Sequence, residues 1–196
     1  GWGWTAAVHS DDLNGLAATW QRSMASEEPG ESEARLRRHD GEYRWFLFRA
    51  NPLRDESGTI VKWYGINTDI EDLKRAEDKA RLIIDTALDA VVAMDAQGTI
   101  TSWNKQAEAV FGWSHTEAIG QRMSDMIIPA QQRMAHERGL RHFLDTGEGP
   151  ILRRRIEVTA VRRSGVEFPV ELEVMPVRLG HEWVFSAFIR DITDSR

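Results

Sequence analysis

Two stretches of the chain are versions of one strand pair, and this repeat limits the fold more than any other feature. In the first, Arg37, Arg38, His39, Asp40 and Gly41 lead into an apolar run from Tyr43 to Phe48. A turn over residues 55–58 comes next, then Ile60 to Ile66 and the pair Asp69 and Ile70. In the second, Arg162, Arg163, Ser164 and Gly165 lead into Phe168 to Val177. A turn at Leu179 and Gly180 comes next, then Trp183 to Ile189 and the triplet Asp191, Ile192 and Thr193. Gly to Asp is 28 residues in the first copy and 26 in the second, and the two glycines lie 124 apart. A unit of that period is long enough to bury its own core, so the repeat predicts tandem domains. The second copy has a full domain's length in front of its strand pair and the first does not. The first is therefore expected to be the C-terminal part of a domain whose beginning is missing.

At 196 residues the chain has room for one to two domains. Its 41% hydrophobic and 29% charged residues are ordinary for a soluble globular protein. The formal charge of −6 gives no general attraction to phosphates, so no nucleic-acid partner is expected. The basic run Arg153, Arg154, Arg155 reads as a solvated strand or loop face. No apolar run approaches a membrane span and no signal peptide opens the chain, so no membrane contact is expected of this segment. There are no cysteines, which excludes disulfides, zinc–thiolate sites and thiol nucleophiles and fits a cytoplasmic compartment.

Leu13, Leu16, Ala17, Trp20 and Met24 recur at helical spacing from Ser10 to Ala25, with Ser10 or Asp11 available as N-cap. Two strands joined at Asp40 and Gly41 come next, and a third succeeds the 55–58 turn. A helix is predicted from Asp69 to Leu88. Its Leu73, Ala76, Ala80, Ile83 and Ala87 form the seam of a short coiled coil or of a helix packed on a sheet. That Ala-rich seam is marginal alone, so the helix is read as a connector and a plausible contact between two copies of the chain.

Beyond it, Ala90 to Met94 reads as a strand, residues 95–98 as a hairpin turn and Thr99 to Trp103 as the return strand. Asn104 caps a helix reaching Phe111, and Ser114 with Glu117 has capping-box spacing. Pro129 stands where a longer helix would start and Gly147 where it would end. Three strands are predicted at Ile151 to Val161, Val166 to Val177 and Glu182 to Ile189. Strands, then helices, then strands predict an α+β domain with one antiparallel sheet.

The run from Asp95 through Gly98 and Ile100 to Asn104, with Phe111, Gly112 and Trp113 downstream and Asp191, Ile192 and Thr193 at the end, resembles a PAS domain over about residues 80–193. The first copy resembles the end of a second PAS domain. The resemblance implies a PAS fold: a five-stranded antiparallel sheet with helices on one face, in tandem with a partial PAS domain. The expected division is residues 1–70 for the partial domain, 71–89 for the connecting helix and 90–196 for the complete domain. It further implies a sensory or dimerisation module of a bacterial signalling protein. Such a module acts as a homodimer on an output domain of the same chain, such as a histidine kinase or cyclic-dinucleotide enzyme. In the family the terminal Asp-Ile-Thr motif couples the last strand to the departing helix, a role that would fall to Asp69, Asp191 and Thr193.

His136 is the candidate cofactor ligand. On a helix from Pro129 it shares a face with Leu140, Phe143 and Leu144, the side expected to meet the sheet, while His142 points away. The domain resembles the haem PAS of rhizobial oxygen-sensing kinases, whose proximal histidine stands seven residues after the corresponding Pro, as His136 does after Pro129. Two departures weaken the match. Ile156 replaces the arginine that holds bound oxygen there, and Arg154 falls where those sensors have an apolar residue, a costly place for a charge.

Phe168, Val170, Leu172 and Val174 alternate onto one strand face, as do Trp183, Phe185, Ala187 and Ile189, with Ile156 and Val158 joining them. His136, Leu140, Ile156, Leu172, Val174 and Ala187 are thus the candidate cofactor lining. His136 would be a metal ligand only through haem iron. The same lining reads more readily as plain core with no cofactor. Flavin remains a remoter alternative, and a cysteinyl-flavin adduct is excluded because the chain has no cysteine. No catalytic residue set is present: no His pair has metal spacing and no nucleophile turn occurs. The segment is expected not to be an enzyme.

Overall fold

A computed structural model describes residues 2–193, so residue 1 and the last three residues of the segment assigned to the second domain lie outside the described residues. The chain divides into two compact units, residues 1–80 and 81–196.

In the first unit, α1 (Ser10–Ser26) is capped by His9, whose ring accepts a hydrogen bond from the Asp11 amide. The expected cap, Ser10 or Asp11, already lies inside the first turn. There Asp12 takes up a two-pronged pair with Arg35 at 2.8 Å on each side. Strands β1 (Gly30–Arg37), β2 (Tyr43–Arg54) and β3 (Ile60–Asp69) then form a three-stranded antiparallel meander in sequence order. Helix α1 lies so close to β1 that a Cβ on Gly30 would meet Ser23 Oγ at 2.0 Å. That contact requires the glycine. The buried core is slight: Val8, Leu16 and Ala34, with Leu13, Leu36 and Phe48 against them.

Helix α2 spans Glu71–Asp85, shorter at both ends than the predicted Asp69 to Leu88. Asp69 stays in β3 and accepts from the Glu71 amide, which opens the helix. At the other end the Thr86 hydroxyl folds back onto the Leu82 carbonyl and the Ala87 amide takes that of Ile84. None of its residues is buried.

The second unit runs β4 (Ala90–Asp95), β5 (Ile100–Trp103), α3 (Lys105–Phe111), α4 (His115–Ala118), α5 (Met123–Met126), a 3₁₀ turn at Ala130–Gln132, and α6 (Arg133–Thr146). Strands β6 (Arg155–Val161), β7 (Glu167–Leu179) and β8 (Glu182–Asp191) complete it. The five strands form one antiparallel sheet in the order β5-β4-β8-β7-β6. One core joins a sheet face (Val92, Phe168, Val170, Ala187, Ile189) to Phe111, Met123, Ile127 and Phe143 from the helical region. This is the expected PAS architecture.

Two local expectations are corrected. Strand β6 begins at Arg155 and not at Ile151, because Arg153 turns the backbone with φ 57° and donates its amide to Val174. Arg154 is consequently exposed instead of entering an apolar pocket. Leu144, expected on the sheet side of α6, is 37% exposed, and Phe143 is the buried residue of that turn.

Candidate functional site

Helix α6 carries His136, Leu140 and Phe143 along one strip. Glu137, next along, accepts from Arg122 Nη2 at 3.1 Å and from the buried Ser124 hydroxyl at 3.4 Å, tying α6 to α5. The His136 ring is largely buried, and its Nδ1 has no hydrogen-bond partner. Burial pushes the imidazole below its ordinary value of 6.5; Glu137 pulls the other way and Arg122 adds to the drop. Held below its ordinary value, the imidazole stays neutral at neutral pH.

The strand residues of the predicted lining divide. Val174 pairs with Ala187 and Leu172 with Ile189 across β7 and β8. These, with Leu140, belong to the core cluster or pack on it. Ile156, opposite Leu172 on β6, is half-buried but stands outside that cluster. Between α6 and β8 lies Phe143, at 4% exposure, meeting the Trp183 and Phe185 rings edge-on at 5.0 and 5.2 Å. An aromatic side chain, not an open slot, occupies that position.

The exits of the two units share one geometry. Asp69 Oδ1 accepts from the Glu71 amide at 3.0 Å, and Asp191 Oδ1 accepts from the Thr193 amide at 2.9 Å and from its hydroxyl at 2.6 Å. In both, the carboxylate two residues back caps the departing chain. Their cations differ in origin. Arg162, from the basic turn before β7, holds Asp191 and also reaches the Val110 carbonyl. Arg44, on β2 itself, lies 3.2 Å from Asp69. Burial raises the Asp191 carboxyl, but the bonds from Thr193 and Arg162 outweigh it and leave the group below the usual range.

The start of α2 is fastened to the first unit. Glu71 accepts from the Trp45 amide at 2.9 Å, a bond that lowers its carboxyl, and Lys74 pairs with Glu33 over the Trp45 ring. The helix end is held by the second unit through Asn104. This residue is 1% exposed. Its Oδ1 accepts from the amides of Val91 and Ala107, and its Nδ2 donates to the carbonyls of Ile84 and Asp89. The motif marks Asn104 as a cap for α3; its hold on the end of α2 has no sequence signal.

The first unit also holds an apolar cavity of about 750 Å³, between α1 and the sheet, lined by Trp4, Leu16, Trp20, Leu36 and Phe48 among others. The second unit covers the corresponding sheet face with Phe111, Met123 and Ile127. Among the described residues no group of His, Asp and Glu could hold a metal ion, and no helix is long and apolar enough to cross a membrane.

Residues 78–192 match the PAS-fold family model, and residues 2–67 match a second PAS-fold model. The sensor protein FixL of Bradyrhizobium diazoefficiens is 34% identical over 158 residues, which cover 77% of this chain and 31% of FixL. A protein of Azorhizobium caulinodans is 44% identical over 119 residues, 61% of this chain and 16% of its own length. The probable diguanylate cyclase DgcE of Escherichia coli is 26% identical over 213 residues, 98% of this chain and 18% of its own. The chain thus spans between 16% and 31% of the length of these relatives. With its five-stranded sheet, its terminal Asp-Ile-Thr cap and a family match over more than half its length, the chain belongs to the PAS-fold family.

Proposed function

We propose that this chain is a non-catalytic sensory and dimerisation segment of a bacterial signal-transduction protein. It works in the cytoplasm as a homodimer and drives an output domain of the same chain, a histidine kinase or cyclic-dinucleotide enzyme. Residues 1–70 are the partial PAS domain, 71–89 the connector and 90–196 the complete domain. The observation that carries this reading is the repeated cap: Asp69 and Asp191 each hold the chain leaving a strand, so strain in either sheet is passed to the departing segment. The uncovered connector supports the dimer, since Leu73 is 56% and Ile83 63% exposed on an otherwise solvated helix. An isolated helix of that length is marginal in water, so its apolar seam calls for a partner. Relatives named a sensor protein and a probable diguanylate cyclase support a signalling output. Sedimentation velocity tests the reading: a dimer is expected, and Leu73→Asp with Ile83→Asp yields monomer. Wild-type protein that stays monomeric at every concentration overturns it.

A second reading, haem ligation, is favoured by one observation, the buried and unpartnered Nδ1 of His136. A neutral imidazole suits iron, which would supply gas binding or a redox change. The remaining lining fits poorly, because Phe143 fills the space next to Trp183 and Phe185 and Ile156 offers no hydrogen bond. An absorbance scan of protein expressed with haem supply decides. A Soret band lost in His136→Ala supports ligation, its absence removes the reading, and a flavin spectrum replaces it with the remoter alternative.

A further inference from the structure

The route by which a chain enters the second unit and the route by which it leaves meet at one ion pair. Asp89 stands between the end of α2 and the start of β4. Arg190 is the residue just before the Asp191 cap. The β4–β8 register puts Ala90 opposite Ile189, so Asp89 and Arg190 face each other one step beyond the ladder. Their side chains close a two-pronged contact, Arg190 Nε to Oδ1 at 2.8 Å and Nη2 to Oδ2 at 3.0 Å. Asp89 is fixed from behind, since Asn104 Nδ2 holds its carbonyl and that of Ile84 at the α2 end. On the other flank Arg190 faces Glu171 of β7. Asp191 is held by Arg162 and caps Thr193.

Resting on the coupling role given to α2 and Asp191 above, we infer that the Asp89–Arg190 pair is a direct tie between the entering helix and the exit cap. Displacement of the last turn of α2 moves Asp89 through Asn104, and Arg190 carries that movement to Asp191 without passing through the domain interior. Arg190 is thus a positioning residue for the exit. The pair is solvent-accessible, and exposed pairs contribute little to stability even with two prongs. Breaking it leaves the sheet and core intact while uncoupling the two ends.

Hydrogen exchange on the whole chain tests the tie across the pair and not at the substituted side. In Arg190→Gln the amides of residues 82–88 should exchange about fivefold faster, and in Asp89→Asn those of residues 191–193 should do the same. The reversed pair, Asp89→Arg with Arg190→Asp, should return both segments toward wild-type rates. Faster exchange confined to the substituted side, or a reversed pair no better than the single variants, overturns the inference. The readout at residues 191–193 lies outside the proposed α2 seam and depends on neither dimerisation nor a bound cofactor. A chain that proves monomeric would therefore remove the proposed function and leave this test standing.

Discussion

Asn104 shows how one buried side chain can serve two elements. With all four of its hydrogen bonds satisfied, it caps α3, aligns β4 and stops α2. Asn104→Ala leaves two amides and two carbonyls without that partner and should cost about 3 kcal/mol, read as a drop in the urea midpoint. A loss below about 1 kcal/mol would mean that these groups find other partners. His136 gives a different signature. Its folded pKa lies below its ordinary value of 6.5, so the unfolded chain takes up the proton first. Its contribution to stability is whole above that value and declines as pH falls from it toward the lowered folded value. Stability measured from pH about 7 to about 5 should fall more steeply in wild type than in His136→Gln. Equal slopes would show the ring to be more accessible than its geometry indicates. Both residues are legible in the sequence as types at motif positions. Their consequences are not, because the bonds of Asn104 span 20 residues to Ile84 and the burial that lowers His136 is a matter of tertiary packing.

Among the elements, alternation and capping chemistry locate every strand and helix of the second unit to within a few residues except α5, which has no side-chain cap and is not predicted. The larger departures come where backbone geometry, not hydrophobicity, sets the boundary. Ile151 and Leu152 look like the start of β6, but Arg153 turns left-handed there and Leu152 forms a parallel bridge with Val174 instead. The predicted lining divides for the same reason. Ile156 alternates correctly, yet it lies too close to the start of β6 to be packed by the core. Contacts between elements are hidden altogether. No sequence pattern signals that Gly30 lies against Ser23. Gly30→Ala should destabilise the first unit by about 1–3 kcal/mol through overpacking, and Ser23→Gly in the same chain should recover most of the loss. Strict additivity of the two changes would place the strain elsewhere.

The molecule as a whole is an unequal pair of units. Among the described residues its second unit closes a core of nineteen buried apolar residues, whereas the first clusters three and leaves an apolar cavity, so rigid coupling belongs to the second. The repeat of turn, strand pair and Asp-Ile exit makes the pairing of two units visible in the sequence alone. It leaves open how the copies differ at their exits, where Arg162 and Arg44 come from different places to hold equivalent carboxylates. A signal passing along α2 between paired chains requires the two helices to meet along their apolar seam. Because the chain has no cysteine, single substitutions along that helix report the pairing directly. Oxidative cross-linking of Cys variants at each position from 71 to 85 should yield dimer maxima at Leu73, Ala76, Ala80 and Ile83, with troughs between. A flat, low profile along the helix would contradict that pairing and the signal route built on it.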